Sequence, residues 1–185
     1  MISNVRVYGV EESIRASKYP MSVDTEACNS YVTQTVLNLA TSKQGGGHDN
    51  FLNGIVVQFD LKFTIKAWTE AERYHFLDFV SSQSTMHRIT KFDIAANCIE
   101  YVTPTIIAEV QRLVDVYNEN TTAENYLAVL YNVPVGFQLT ARMTTNYRQL
   151  KTIYTQRKNH RLPEWRKLCE WINTLPHSEF ITGGK

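Results

Sequence analysis

The stretch FQLTARMTTNYRQLKTIYTQRKNHRLPEW, residues 137–165, changes its period once, near Asn146. Phe137, Leu139, Ala141 and Met143 alternate with Gln138, Thr140, Arg142 and Thr144 over 137–144, the two-residue period of a half-buried strand. At about 100° per residue, Asn146, Leu150, Ile153 and Arg157 then share a narrow arc of a helix, with Arg148, Thr152 and Thr155 on the other side. A strand runs straight into a helix, and an amide and a guanidinium sit on that helix's apolar stripe. Burying such groups unpaired costs on the order of 2–7 kcal/mol for an amide and more for a charge, so two readings stand. Asn146 is a helix cap and Arg157 lays its stem over the core with its head in water; or both groups meet a polar partner or an anionic ligand.

Upstream, residues 55–67 (IVVQFDLKFTIKA) alternate in the same way, with Ile55, Val57, Phe59, Leu61, Phe63, Ile65 and Ala67 on one face. Thr69 and Glu72 have capping-box spacing, so a helix is expected over 70–82 with Ala71, Tyr74, Leu77 and Val80 inward. A short helix is expected over 31–40, carrying Val32, Val36, Leu39 and Ala40. Thr103 and Pro104 start a longer one whose inward set is Ile106, Ile107, Val110, Leu113, Val114 and Tyr117, and residues 118–120 stop it. Thr121 and Glu124 cap a further helix ending before Pro134. Pro163 opens the last, with Trp165, Leu168, Cys169 and Ile172 inward, and the tail from Pro176 reads as frayed. The fold class is therefore α+β, an antiparallel sheet with helices packed on one face. Trp68 and Trp171 read as exposed aromatics that leave room for a homo-oligomer.

The 185 residues, 43% hydrophobic and 20% charged, suit a single domain spanning 1–185. A net charge of +1 supplies no global field for nucleic acid. The three cysteines, Cys28, Cys98 and Cys169, are odd in number and far apart, as expected of reduced thiols in a cytoplasmic protein and not of a disulfide framework or a zinc site. No run of about 18 apolar residues is present and the N-terminus has no basic leader, so neither a membrane span nor a signal peptide is expected.

Polar groups gather in three further places. Residues 4–10 read as extended, and Glu11, Ser13 and Arg15 would point the same way if the extended chain continued, an acid, a hydroxyl and a guanidinium suited to a sugar phosphate; a solvated loop explains them equally. The glycine-rich turn 42–50 allows close backbone approach to an anion, although it lacks the phosphate-loop pattern, and it sets His48 just before a strand. Gln83, His87 and Arg88 interrupt the apolar pattern of 82–93.

The spacing Asn146, Arg148, Leu150, Ile153, Arg157, followed by Glu164-Trp165-Arg166, resembles the C-terminal signature of the flavin-dependent thymidylate synthase family. Gly47-His48 before Phe51 and the strand resembles that family's glycine-histidine segment. Gln83, His87 and Arg88 keep their places in its arginine-histidine-arginine motif, while Met86, Lys91 and Asp93 replace the first arginine, the serine and the asparagine. The acid-x-serine-x-arginine loop is missing after Asp93, and its spacing recurs at Glu11, Ser13 and Arg15.

The resemblance implies that His48, His87, Arg88, Asn146 and Arg148 lie on the flavin side, and Gln83 and Arg157, with Glu11, Ser13 and Arg15, on the nucleotide side. It implies FAD as cofactor, NADPH and methylenetetrahydrofolate as co-substrates, a homotetramer with shared sites, and one-carbon transfer to C5 of deoxyuridylate. The lost motif residues keep a non-enzymatic pyrimidine-nucleotide binder as the rival. A nucleic-acid module, suggested only by Lys158 to Arg161 with Tyr147, Tyr154 and Trp165, ranks last.

Overall fold

The computed structural model describes residues 1–43 and 45–184; Gln44 of the glycine-rich turn and Lys185 of the tail lie outside the described residues. Strands Ile2–Tyr8 (β1), Val56–Thr64 (β2), Asp78–Ser82 (β3) and Gln138–Asn146 (β4) form an antiparallel sheet in the order β1-β2-β4-β3. The two clearly alternating segments take the centre because their apolar rows coincide. Phe59 lies opposite Met143, Leu61 opposite Ala141 and Phe63 opposite Leu139. Phe59, Leu61, Phe63 and Met143 are fully buried, each worth about 1.5–3 kcal/mol, and Leu139 is partly buried. On the wet face, Asp60 lies opposite Arg142 and pairs with it at 3.2 Å. A hydrogen bond from the Asn4 amide, with help from Arg142, holds the Asp60 carboxyl below its usual range against desolvation.

The helices are Val10–Ala16 (α1), Gln34–Ala40 (α2), Ile65–Ala71 (α3), Thr85–Arg88 (α4), Ile94–Asn97 (α5), Pro104–Glu119 (α6), Ala123–Tyr131 (α7), Tyr147–Arg157 (α8), Pro163–Ile172 (α9) and Glu179–Thr182 (α10). Ile14, Val36, Ala67, Leu150, Ile153, Trp165, Leu168 and Phe180 bring their helices onto the apolar face of the sheet in one core. A second cluster joins Ile94, Val110, Val114, Val129 and Phe137, and Leu139 packs against both. The α+β architecture with helices on one face of an antiparallel sheet is thus as the periodicity indicates.

Several local expectations fail for identifiable reasons. The strand expected to reach Ala67 stops at Thr64, because the Thr64 hydroxyl accepts the Ala67 N–H at 3.1 Å and caps α3 there. Residues 78–82, expected as the end of a helix, form β3 on the free edge of β4. Ala71, Tyr74 and Leu77 are buried as expected, but Val80 is exposed. The cap of α7 is Thr122, one residue after the expected Thr121. Trp68 is buried and donates its indole N–H to the Leu139 carbonyl, and Trp171 lies 4.7 Å from Phe59 between ring centres, so neither is an exposed aromatic. The tail is packed instead of frayed: Phe180 and Ile181 are buried, and the Tyr147 hydroxyl donates to the Pro176 carbonyl.

Glu11, Ser13 and Arg15 lie on α1, not on an extended segment, so at helical spacing Ser13 turns away from the other two. Ser13 is buried against Gly54, where a β-carbon would collide with its hydroxyl. Gly9, at φ +71°, faces the Gly54 carbonyl just as closely, a position only glycine fills without strain. Arg15 reaches the carbonyls of Thr25 and Glu26 and the Glu26 carboxylate at 3.2 Å.

Candidate functional site

The junction of β4 and α8 is fixed from both sides. Asn146 pairs with Val56 at the end of the sheet, and its side-chain oxygen accepts the Gln149 N–H at 2.8 Å. The capping reading of Asn146 is therefore correct for that oxygen, while its side-chain NH2 keeps two donors. In the first turn of α8, Arg148 places its Nε 3.2 Å from Asp49 Oδ1 and remains one-third exposed. Asp49 is fully buried and takes Lys151 Nζ on Oδ2 at 2.8 Å; the same ammonium donates to the carbonyls of Ala40 and Ser42, each at 2.7 Å. These bonds clamp the ends of the glycine-rich turn onto α8 and aim Arg148 at the mouth of a cleft of about 470 Å3. Asn53, Phe76, Asn146, Arg148, Gln149 and Thr152 line the cleft, with Phe76 largely exposed at its edge.

The other sequence candidates lie elsewhere on the chain. His48 is exposed and lines a separate cavity of about 940 Å3 together with Lys18, Tyr31, Asn50 and Phe51. His87 and Arg88, on α4, line a polar hollow with Lys91, Tyr117 and Tyr126. There the Tyr126 hydroxyl donates to the Met86 carbonyl at 2.8 Å, and burial, more than the neighbouring Tyr117, raises its pKa. Gln83 continues the sheet: its N–H donates to the Thr140 carbonyl and its side-chain oxygen accepts the Thr140 N–H, both at 2.9 Å.

Arg157 departs most from a ligand-facing expectation. It is buried, with Nε 2.7 Å from the Tyr74 hydroxyl, Nη1 2.9 Å from Glu70 Oε2 and its guanidinium 4.7 Å from the centre of the Trp165 ring. Its head is not in water, and what it meets is the protein's own acid. His160 completes the knot, 2.7 Å from Arg157 Nη1 and 3.4 Å from Glu70. Burial and the adjacent guanidinium lower the His160 pKa. Desolvation pulls the Glu70 carboxyl up, but Lys66, His160 and Arg157 together leave it below its usual range.

Sequence reasoning brings out Asn146 and Arg148 and misses Asp49, Lys151, Asn53 and Phe76. The one available signal was charge on α8 away from its apolar stripe, because Lys151 stands about 60° from Arg148 around the helix. Nothing in the spacing of Asp49 marks it as buried. Among the described residues no group of three or more His, Cys, Asp or Glu side chains converges as a metal site, and no helix is long and apolar enough to cross a membrane.

No protein-family model and no curated protein matches the sequence. Solved structures do match. A flavin-dependent thymidylate synthase ThyX from Helicobacter pylori, complexed with FAD and dUMP, superposes with a TM-score of 0.75 at 13% identity, over 98% of this chain and 96% of that one. A second ThyX structure from the same organism, also with FAD and dUMP, gives 0.75 at 14% identity over 98% and 97%. A UMP/dUMP methylase PolB from Streptomyces cacaoi, bound with 5-Br dUMP, gives 0.61 at 13% identity over 98% and 96%. Across nearly its whole length, this chain has the fold of the flavin-dependent thymidylate synthases.

Proposed function

We propose that this protein binds FAD and a pyrimidine nucleotide and transfers a one-carbon unit to C5 of deoxyuridylate, with methylenetetrahydrofolate and NADPH as co-substrates. The observation that carries the reading is the cleft at the β4–α8 junction, in a fold shared with proteins that hold FAD and dUMP. Its donor set suits a flavin: the Asn146 amide offers N–H groups, Arg148 offers a fixed positive charge, and Phe76 offers an aromatic edge to a flat ring. A reduced flavin bound there would supply the reducing equivalents. Asp49 and Lys151 keep the Arg148 cation in place without neutralising the cluster: one carboxylate faces two cations, so a net positive charge remains for an electron-rich or anionic group.

His87 and Arg88, with Lys91, form a second cationic surface suited to phosphate, and His48 a third polar wall. One copy keeps these surfaces apart. A homo-oligomer, up to a tetramer, would let them complete one site between copies, and light scattering of the purified protein tests this.

The sealed Arg157 favours a second reading, a non-enzymatic pyrimidine-nucleotide binder, because a guanidinium already paired with Glu70 and Tyr74 is not free for substrate. The two are separated by incubating the protein with FAD, NADPH, methylenetetrahydrofolate and dUMP and following thymidylate by chromatography. Formation of thymidylate supports the enzyme. Nucleotide binding without product supports the binder, and binding of neither flavin nor nucleotide rejects both.

A further inference from the structure

Between the start of α3, the segment 99–102, the start of α6 and the turn into α9 lies a cavity of about 480 Å3, within the roughly 300–1,000 Å3 of small-molecule sites. Backbone bonds hold its walls. The Ile99 N–H donates to the Gly136 carbonyl at 3.1 Å, the Val102 N–H closes a turn onto the Ile99 carbonyl at 3.0 Å, and the Lys66 N–H donates to the Val135 carbonyl at 3.0 Å. Gly136 lies so close to Val102 that a β-carbon would collide with it, so bare backbone forms that part of the lining. Ile99, Val102, Pro134 and Leu162 make the interior apolar, and Tyr101, Ile106 and Val135, all exposed, carry the apolar surface outward. Three large apolar side chains left in water around one opening give an apolar ligand surface to bury. The charges of the same lining are unbalanced: Lys66, Arg161 and Arg166 are three cations against the one carboxylate of Glu164, a net +2. Glu164 is buried and takes the Thr64 hydroxyl proton at 2.6 Å. Lys66 shares Glu70 with Arg157, and Arg166 is held through Nη1 by the carbonyls of His160 and Arg161 at 2.6 and 2.8 Å. Arg161 is exposed and pairs with no carboxylate among the described residues.

We propose that this cavity binds a small apolar carboxylate, with its hydrocarbon body against Ile99, Val102 and Val135 and its carboxylate at Arg161. A guanidinium presents paired N–H donors that match the two oxygens of a carboxylate. A neutral alcohol of the same length gains only the apolar contacts, and an alkylammonium meets cations of its own sign. The ligand differs in chemistry from a flavin and from a nucleotide, and the site needs neither to be present, so the inference stands apart from the proposed function.

The test is calorimetric titration of the full-length protein with octanoate, hexanoate, 3-phenylpropanoate, 1-octanol and octylammonium. Octanoate is expected to bind at least about tenfold more tightly than 1-octanol or octylammonium, and hexanoate, two methylenes shorter, about tenfold more weakly than octanoate. The tighter of octanoate and 3-phenylpropanoate tells whether the natural ligand carries a chain or a ring. Arg161→Ala should weaken octanoate about tenfold and leave 1-octanol nearly unchanged, while Val135→Asp should weaken every alkyl ligand. Both positions are exposed, and denaturation midpoints equal to that of the wild type would show that the fold is kept. Saturating dUMP should leave the octanoate affinity as it was. Absent octanoate binding, octylammonium binding as tight as octanoate, unchanged affinity in both variants, or competition by dUMP would each overturn the proposal. So would light scattering that shows an oligomer dissociated by Val135→Asp and untouched by octanoate, since a second copy would then cover the opening.

Discussion

Asp49 and Arg157 are both held in buried ion pairs, but they serve different surfaces. Removing Asp49 leaves the buried Lys151 ammonium with only carbonyl partners and releases Arg148. Asp49→Ala is expected to cost about 3–5 kcal/mol in urea denaturation and to weaken FAD binding as well. Loss of stability with unchanged flavin affinity would separate Asp49 from the cleft. Around Arg157 the effect is one of pH. His160 has a folded pKa below its reference value of 6.5, chiefly through burial and Arg157, so the folded state binds fewer protons than the unfolded state as pH falls from there. Glu70, below its reference of 4.5 through Lys66, His160 and Arg157 despite desolvation, adds a second loss at lower pH. Stability should therefore decline on acidification, beginning near pH 6.5, and His160→Gln should remove the upper part of that decline in a pH series of denaturation midpoints. A midpoint that rises on acidification would contradict this account. Burial also pushes the Cys169 thiol up to about 11. At pH 8 it stays a thiol, and a thiol-reactive dye should reach it only on unfolding.

At the scale of elements, what the sequence reveals depends on which interactions decide each one. β4 and α9 were legible because their apolar rows, Ala141 with Met143 and Trp165 with Leu168, repeat at one period and are buried as that period requires. Within residues 65–82 the inward set Ala71, Tyr74 and Leu77 was legible, but the elements that carry it were not. Thr69 has capping-box spacing, but it sits inside α3 and donates to the Lys66 carbonyl, and Thr64 takes the cap because its hydroxyl also serves Glu164, 100 positions along the chain. β3 has no buried residue to give it a period; it exists because β4 offers an unpaired edge. Thr64→Val should thus cost about 1–2 kcal/mol, and Thr69→Val less than about 0.5 kcal/mol. Equal effects would place the cap where the sequence pattern alone would put it.

Over the whole molecule, the class of the fold followed from two matching strands and the helices after them, while the site followed only in part. Asn146 and Arg148 are two positions apart in sequence and line the same cleft, so the motif that joins them survives there. Their supporting acid, Asp49, comes from the far end of a turn, and the acid that occupies Arg157 comes from α3; contacts of such long separation leave no local pattern. His48 and the His87-Arg88 pair are on separate surfaces of one chain, which is the physical reason a shared site between copies is proposed. The central claim is that the Asn146–Arg148 cleft holds a flavin. Titrating the purified protein with FAD, with and without dUMP, and following the flavin absorption band and fluorescence tests it most directly. The account predicts saturable binding with a shifted band and at least about tenfold weaker binding in Arg148→Ala; a flavin spectrum unchanged by the wild-type protein, even with dUMP present, would contradict it.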